Sequence, residues 1–170
     1  MKVLLTIAIF TAIMTPVKSQ NKMGFDLMVK TLISGDVDTL NGESVAAMVE
    51  AGEEVAILDA REKKEFDVSH IAQSRFVGYE DFDINRLEGI SKSDTVVVYC
   101  SVGKRSEDIA RKIKEAGYAN VYNYFGGIFD WTNRGLPVVD NKNNKTSCVH
   151  PYSKMWGIWV NNLEKCYEPR

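Results

Sequence analysis

Residues 95 to 99 read Thr-Val-Val-Val-Tyr, a β-branched and aromatic run with no polar alternation. A parallel strand covered on both faces needs that pattern, so this segment is expected to be central in a sheet. A second buried strand is expected at Val55 to Leu58 and another at Asn120 to Tyr124, with short extended pieces at Val37 to Leu40 and Arg75 to Val77. Between them the spacing becomes helical: Glu43 to Ala51, ended by Gly52; Arg61 to Val68; Ser106 to Ala116, closed by Gly117; and Ile128 to Asn133 after the Gly126-Gly127 turn. Phe25 to Ile33 gives a weaker helical signal, and residues 79 to 87 are helical or irregular. Strands alternating with helices specify an α/β fold, a central parallel sheet flanked by helices on both faces.

The ends of the chain follow other rules. Lys2 precedes the 12-residue apolar run Val3 to Met14, then Pro16 and small residues. Spanning a bilayer takes roughly 20 residues, so residues 1–19 read as a secretory signal peptide, cut near Ser19/Gln20, that leaves no membrane segment. The expected location is therefore outside the cytoplasm, periplasmic or secreted. Residues 20–36 form a lead-in, 37–139 the domain, and 140–170 a tail that begins at the polar linker Asp-Asn-Lys-Asn-Asn-Lys-Thr.

With 45% hydrophobic and 26% charged residues, the chain can bury one sizeable core. Without Lys2 and Lys18 it carries 19 basic against 23 acidic residues, which gives no basis for binding nucleic acid or anionic lipid. No metal or cofactor is expected.

Cys100 stands at the carboxyl end of the central strand and directly before a helix, in Cys-Ser-Val-Gly-Lys-Arg-Ser. Open α/β sheets bind ligands at that place. The first turn of a helix offers unpaired N–H groups and partial positive charge, which stabilise a thiolate or persulfide anion. Lys104 and Arg105 are expected to add to this, and Gly103 lets the loop curl around the sulfur. Buried free cysteines are often inert; the flanking Gly, Lys, Arg and Ser argue for chemistry instead.

The loop resembles the active-site loop of single-domain rhodaneses, in which Cys, Gly, often Arg, and Ser occur in this order before a helix. Asp59 to Phe66 is similar to the family's Asp-x-Arg with a following Glu and aromatic, and His70-Ile71 to its His-Ile pair. Gly126 to Trp131 and Gly135 to Pro137 resemble its closing motif. Four motifs in the right order, over about residues 37 to 139, carry the resemblance. Ser69 replaces the usual Gly before the His, and Ala72, Gln73 and Ser74 replace Pro-Gly-Ala, changes expected to reshape one side of the pocket mouth. The resemblance implies a scaffolding role for Asp59 and Arg61, with Arg61 paired to a carboxylate such as Glu65. For His70 it implies packing and hydrogen bonding rather than general-base catalysis.

The implied activity is sulfur transfer. Cys100 takes sulfane sulfur from a small anionic donor such as thiosulfate, held by Ser101, Val102, Gly103, Lys104, Arg105 and Ser106, and passes it to a thiol or cyanide acceptor. A non-catalytic binding or redox-sensing module is the alternative. A phosphatase or arsenate reductase is the weaker one, because Cys-x5-Arg loops place Arg six positions after Cys, where this chain has Ser106.

Cys100, Cys148 and Cys166 make an odd count, which in an oxidising compartment means one pair and one free thiol. With Cys100 claimed by the loop, Cys148 and Cys166 are expected to staple the tail onto the domain surface. The competing arrangement has a tail cysteine resolving a persulfide on Cys100.

Overall fold

The computed structural model describes residues 17–51 and 54–169. Most of the expected signal peptide and the expected helix stop at Gly52 lie outside the described residues. Among the described residues no helix is long and apolar enough to cross a membrane.

Five parallel strands form the sheet: β1 (Thr39–Leu40), β2 (Val55–Asp59), β3 (Arg75–Phe76), β4 (Thr95–Tyr99) and β5 (Asn120–Tyr124). Their order is β1-β5-β4-β2-β3, which puts the Thr-Val-Val-Val-Tyr strand at the centre, paired to β2 and β5. Because successive side chains of a strand point to opposite faces, β4 feeds two cores. Val97 and Tyr99 pack with Phe25, Val29, Val45, Ile128 and Phe129 on one face. Val96 and Val98 pack with Leu58, Ile109, Ala110 and Ile113 on the other. Fully apolar composition on both faces is why the run shows no alternation.

The helices are α1 (Val17–Leu32), α2 (Gly42–Ala51), α3 (Lys63–Val68), α4 (Lys104–Glu115) and α5 (Gly127–Asn133). Phe25 and Val29 of α1 are buried in the first core, so the segment expected to be a lead-in packs against the domain. It is fixed at its exit: the buried Glu107 carboxylate of α4 accepts the N–H groups of Ser34 at 2.8 Å and Gly35 at 2.7 Å. The 79 to 87 segment resolves into one 3-10 turn at Ile84–Leu87. Helix α4 begins two residues earlier than its apolar spacing implied, because Gly103 serves as its N-cap.

After Pro137 the chain forms two small ladders. Strand β6 (Val138–Val139) pairs antiparallel with β7 (Lys145–Thr146), and β8 (Cys148–Val149) pairs parallel with β9 (Glu164–Lys165). Cys148 and Cys166 are joined in a disulfide and pack against Val68 of α3. The tail also holds on to α5: Asn133 donates to the Trp159 carbonyl at 2.7 Å and accepts from the Asn161 N–H at 2.8 Å.

Candidate active site

Cys100 leaves β4 and is 1% exposed, the free cysteine among the described residues. Its Sγ accepts the N–H of Gly103 at 3.1 Å. That bond needs the chain to double back within three residues, and Gly103 makes the turn with φ +124, a value side-chain-bearing residues rarely adopt. The loop is clamped from below by the Gly-Gly turn. Ile128 N–H bonds to the Cys100 carbonyl at 2.9 Å, and Phe129 N–H to that of Ser101 at 3.2 Å. A Cβ on Gly127 would lie 2.2 Å from the Cys100 carbonyl oxygen, so the two backbones meet only because this residue is glycine.

Asn123, at the end of β5, closes the loop from the side. Its Nδ2 donates to the Gly103 carbonyl at 3.0 Å, and its Oδ1 accepts from Ser106 Oγ at 2.8 Å; both side chains are fully buried. Ser106 is thus a loop clamp, six positions after Cys100, and not a residue reaching toward a ligand.

The basic residues are placed otherwise than expected. Arg105 forms a two-pronged ion pair with Glu65 of α3, at 2.7 and 2.9 Å, and donates to Ser101 Oγ at 3.0 Å. Glu65 also accepts from Ser101 Oγ at 3.2 Å and from the Glu62 N–H at 3.1 Å. Burial opposes the charge on Glu65, but the bonds and charge of Arg105 outweigh it and hold the carboxyl below its ordinary range. For Arg105 burial pulls downward; the Glu65 bond and the negative charge of a Cys100 thiolate push further upward, so it stays charged. Lys104 is bonded to Asp108, one helical turn on, at 2.8 Å to both oxygens. Each of the two side chains expected to help hold an anion thus already has a carboxylate partner.

The partner of Arg61 is corrected too. Its guanidinium bonds to Asp59 at 2.6 to 3.1 Å and to the Ser69 carbonyl at 2.6 Å, all of it buried. Asp59 and Arg61 stitch the β2 exit to the end of α3, while Glu65 turns the other way, to the loop. His70 stacks on Phe66 with centroids 3.8 Å apart, and its Nδ1 faces the Phe66 carbonyl at 3.0 Å, a contact in which Nδ1 must donate. Burial lowers its proton affinity. Backbone bonds join it to Val139 at 2.8 and 2.9 Å. Neither His70 nor residues 69 and 72–74 are among the residues that line the cavity beside Cys100.

That cavity, about 250 Å3, is lined by Leu32, Cys100, Ser101, Val102, Lys104, Arg105, Tyr152 and Trp156. Three of these lay outside the sequence-based site. Leu32 ends α1, while Tyr152 and Trp156 come from the tail, 52 and 56 positions beyond the cysteine. The one available signal was the apolar content between Cys148 and Cys166. The loop thiol and the tail disulfide are separate features, and no tail cysteine is free to meet Cys100.

The rhodanese-like domain model matches residues 42–134, more than half of the chain, and the chain belongs to that family. Among its relatives is a sulfurtransferase of Allochromatium vinosum, 31% identical over 103 residues, which cover 61% of this chain and 95% of the relative. The putative sulfur carrier protein YrkF of Bacillus subtilis is 28% identical over 101 residues, 59% of this chain. The chain spans about half the length of YrkF, 54%. The fold matches the rhodanese-like domain of the Anabaena protein Alr3790 with a TM-score of 0.57 at 22% identity, over 64% of this chain and 83% of that one. These two relatives are named as a sulfurtransferase and a putative sulfur carrier protein, and a tRNA uridine(34) hydroxylase of Erwinia tasmaniensis is also similar, 31% identical over 109 residues, which cover 58% of this chain and 31% of that protein.

Proposed function

We propose that the protein is a sulfurtransferase that carries sulfane sulfur as a persulfide on Cys100. The observation that carries this is the Gly103 N–H on Cys100 Sγ, 3.1 Å, at a cavity otherwise lined by the loop and apolar side chains. A thiolate there is stabilised by that bond and by the first turn of α4, whose leading N–H groups have no acceptor within the helix. With thiosulfate, the thiolate attacks the outer sulfur, the S–S bond of the donor breaks and sulfite leaves, giving the Cys100 persulfide. Cyanide or a thiolate then attacks the terminal sulfur and releases the Cys100 thiolate. The same N–H groups meet the negative charge in both steps, so no separate base is required. With Ser106 at the sixth position bonded to Asn123, no arginine encircles a tetrahedral oxyanion as a phosphatase loop requires.

Export is part of the same reading. The apolar N-terminal run and a buried disulfide in the tail both suit an oxidising compartment outside the cytoplasm.

The test is intact-mass measurement after incubation with thiosulfate, together with thiocyanate formation from cyanide. Wild-type protein should gain one sulfur atom, and Cys100→Ser should gain none and form no thiocyanate. Turnover persisting in that variant overturns the proposal.

A further inference from the structure

The cavity beside Cys100 is built mostly from apolar surface, and three of the residues that supply it, Leu32, Tyr152 and Trp156, lie outside the matched residues 42–134. Tyr152 and Trp156 line it together with Val102 and Leu32. Tyr152 is held in place at both ends. Its backbone sits at φ +64 with its N–H on Nδ1 of the buried His150, at 3.1 Å, and its ring lies 4.9 Å from the Arg105 guanidinium. The tail that presents it is tied down by the disulfide and by Asn133. Meanwhile the two cations at the cavity are each neutralised, Arg105 by Glu65 and Lys104 by Asp108. A small dianion finds N–H groups here but no uncommitted cation among the described lining residues, and it leaves the aromatic wall unused. A molecule with an apolar body uses both: its sulfur at the loop, its body on the rings.

We propose that Tyr152 and Trp156 select, as the sulfur donor, an organic persulfide R–S–SH whose R group is apolar. This rests on the reading of Cys100 as a sulfur carrier. The Cys100 thiolate attacks the terminal sulfur of the donor, the new S–S bond forms at Cys100, the donor's S–S bond breaks, and R–S⁻ leaves. The Cys100 sulfur is oxidised from thiolate to persulfide as the donor is reduced to thiolate, with no further oxidant. The terminal proton stays on the transferred sulfur.

The experiment loads Cys100 with benzyl persulfide, with the persulfide of 2-mercaptoethanesulfonate and with thiosulfate, and reads kcat/KM for each by intact mass. On wild-type protein, benzyl persulfide should exceed the sulfonated donor at least tenfold, which corresponds to about 1.4 kcal/mol. Equal values overturn the proposal without any variant being needed. Tyr152→Ala and Trp156→Ala should lower the benzyl-to-thiosulfate ratio about tenfold, while Trp156→Phe retains most of it. Met155→Ala, on the same tail but exposed and outside the cavity lining, should leave the ratio unchanged. A ratio unmoved by both alanine variants removes the aromatic wall from donor choice while the sulfur-carrier reading stands. If thiosulfate loads Cys100 and benzyl persulfide does not, the inference alone falls; if no donor loads it, both fall.

Discussion

The loop 100–106 and the tail 148–166 meet at one cavity and are held by different means. In the loop, regular structure fixes the chain on both sides, and the polar side chains of Ser101, Arg105 and Ser106 are all engaged, with Glu65 and Asn123 as the outside partners. In the tail there are three two-residue strands and one 3-10 turn over residues 145–165, held by a disulfide and by Val149 and Val160, which are buried in the first core. The sulfur proposed to react sits in a loop tied by side-chain and backbone bonds, which suits chemistry that depends on a fixed N–H and sulfur geometry. The side chains that would meet the rest of the substrate sit on a segment with little regular structure, the kind of segment that commonly carries binding residues on a rigid scaffold.

Breaking the loop's ion pair is the largest test of this contrast. Arg105→Ala leaves the Glu65 carboxylate buried without its guanidinium, and should cost about 3 kcal/mol of stability and most sulfur loading. Arg105→Lys should recover only part, since one ammonium cannot make both bonds to Glu65 and the bond to Ser101. Chemical unfolding with loading measured in parallel decides; a loss below about 1 kcal/mol would place the pair among ordinary surface bridges.

Removing the staple tests the other side. The disulfide closes a segment with a sequence separation of 18, for which the chain-entropy model gives about 3 kcal/mol. Cys148→Ala with Cys166→Ala should approach that loss, yet the folded fraction should still load sulfur from thiosulfate, because the loop is built without the tail. Loss of loading in protein that remains folded by circular dichroism would show that the two regions are not separable.

The smallest effect is on pH dependence. Burial pushes His70 and His150 below their ordinary 6.5, so protonation favours the unfolded chain, and stability should decline as pH falls through 6.5. Glu65, held below its ordinary 4.5, contributes stability that is complete above 4.5 and lost as pH falls through its lower folded value. Thermal midpoints across the acid range should show both declines, with the lower one shallower in Glu65→Gln. An acid limb unchanged in that variant would assign it to other carboxylates.

Much of this molecule was fixed by local chemistry and is legible along the chain. The uninterrupted Thr95–Tyr99 run placed the central strand, because only a strand with two covered faces tolerates it. The turns at Gly103 and at Gly126-Gly127 were legible because positive φ restricts residue type strongly. The disulfide was expected from an odd cysteine count together with the reading of the apolar N-terminal run as an export signal. The partners of charged groups did not follow. Glu65 faces Arg105, 40 positions away, and not Arg61, only four away, because α3 turns its first-turn carboxylate toward α4 while Asp59 has already claimed Arg61. Nor did the cavity wall: Leu32, Tyr152 and Trp156 come from segments that flank the matched residues 42–134 in sequence, and they line the cavity beside Cys100 only in the folded structure. Charge pairing and concavity are properties of surfaces brought together by folding, and the spacing of residues along the chain does not encode which surfaces meet.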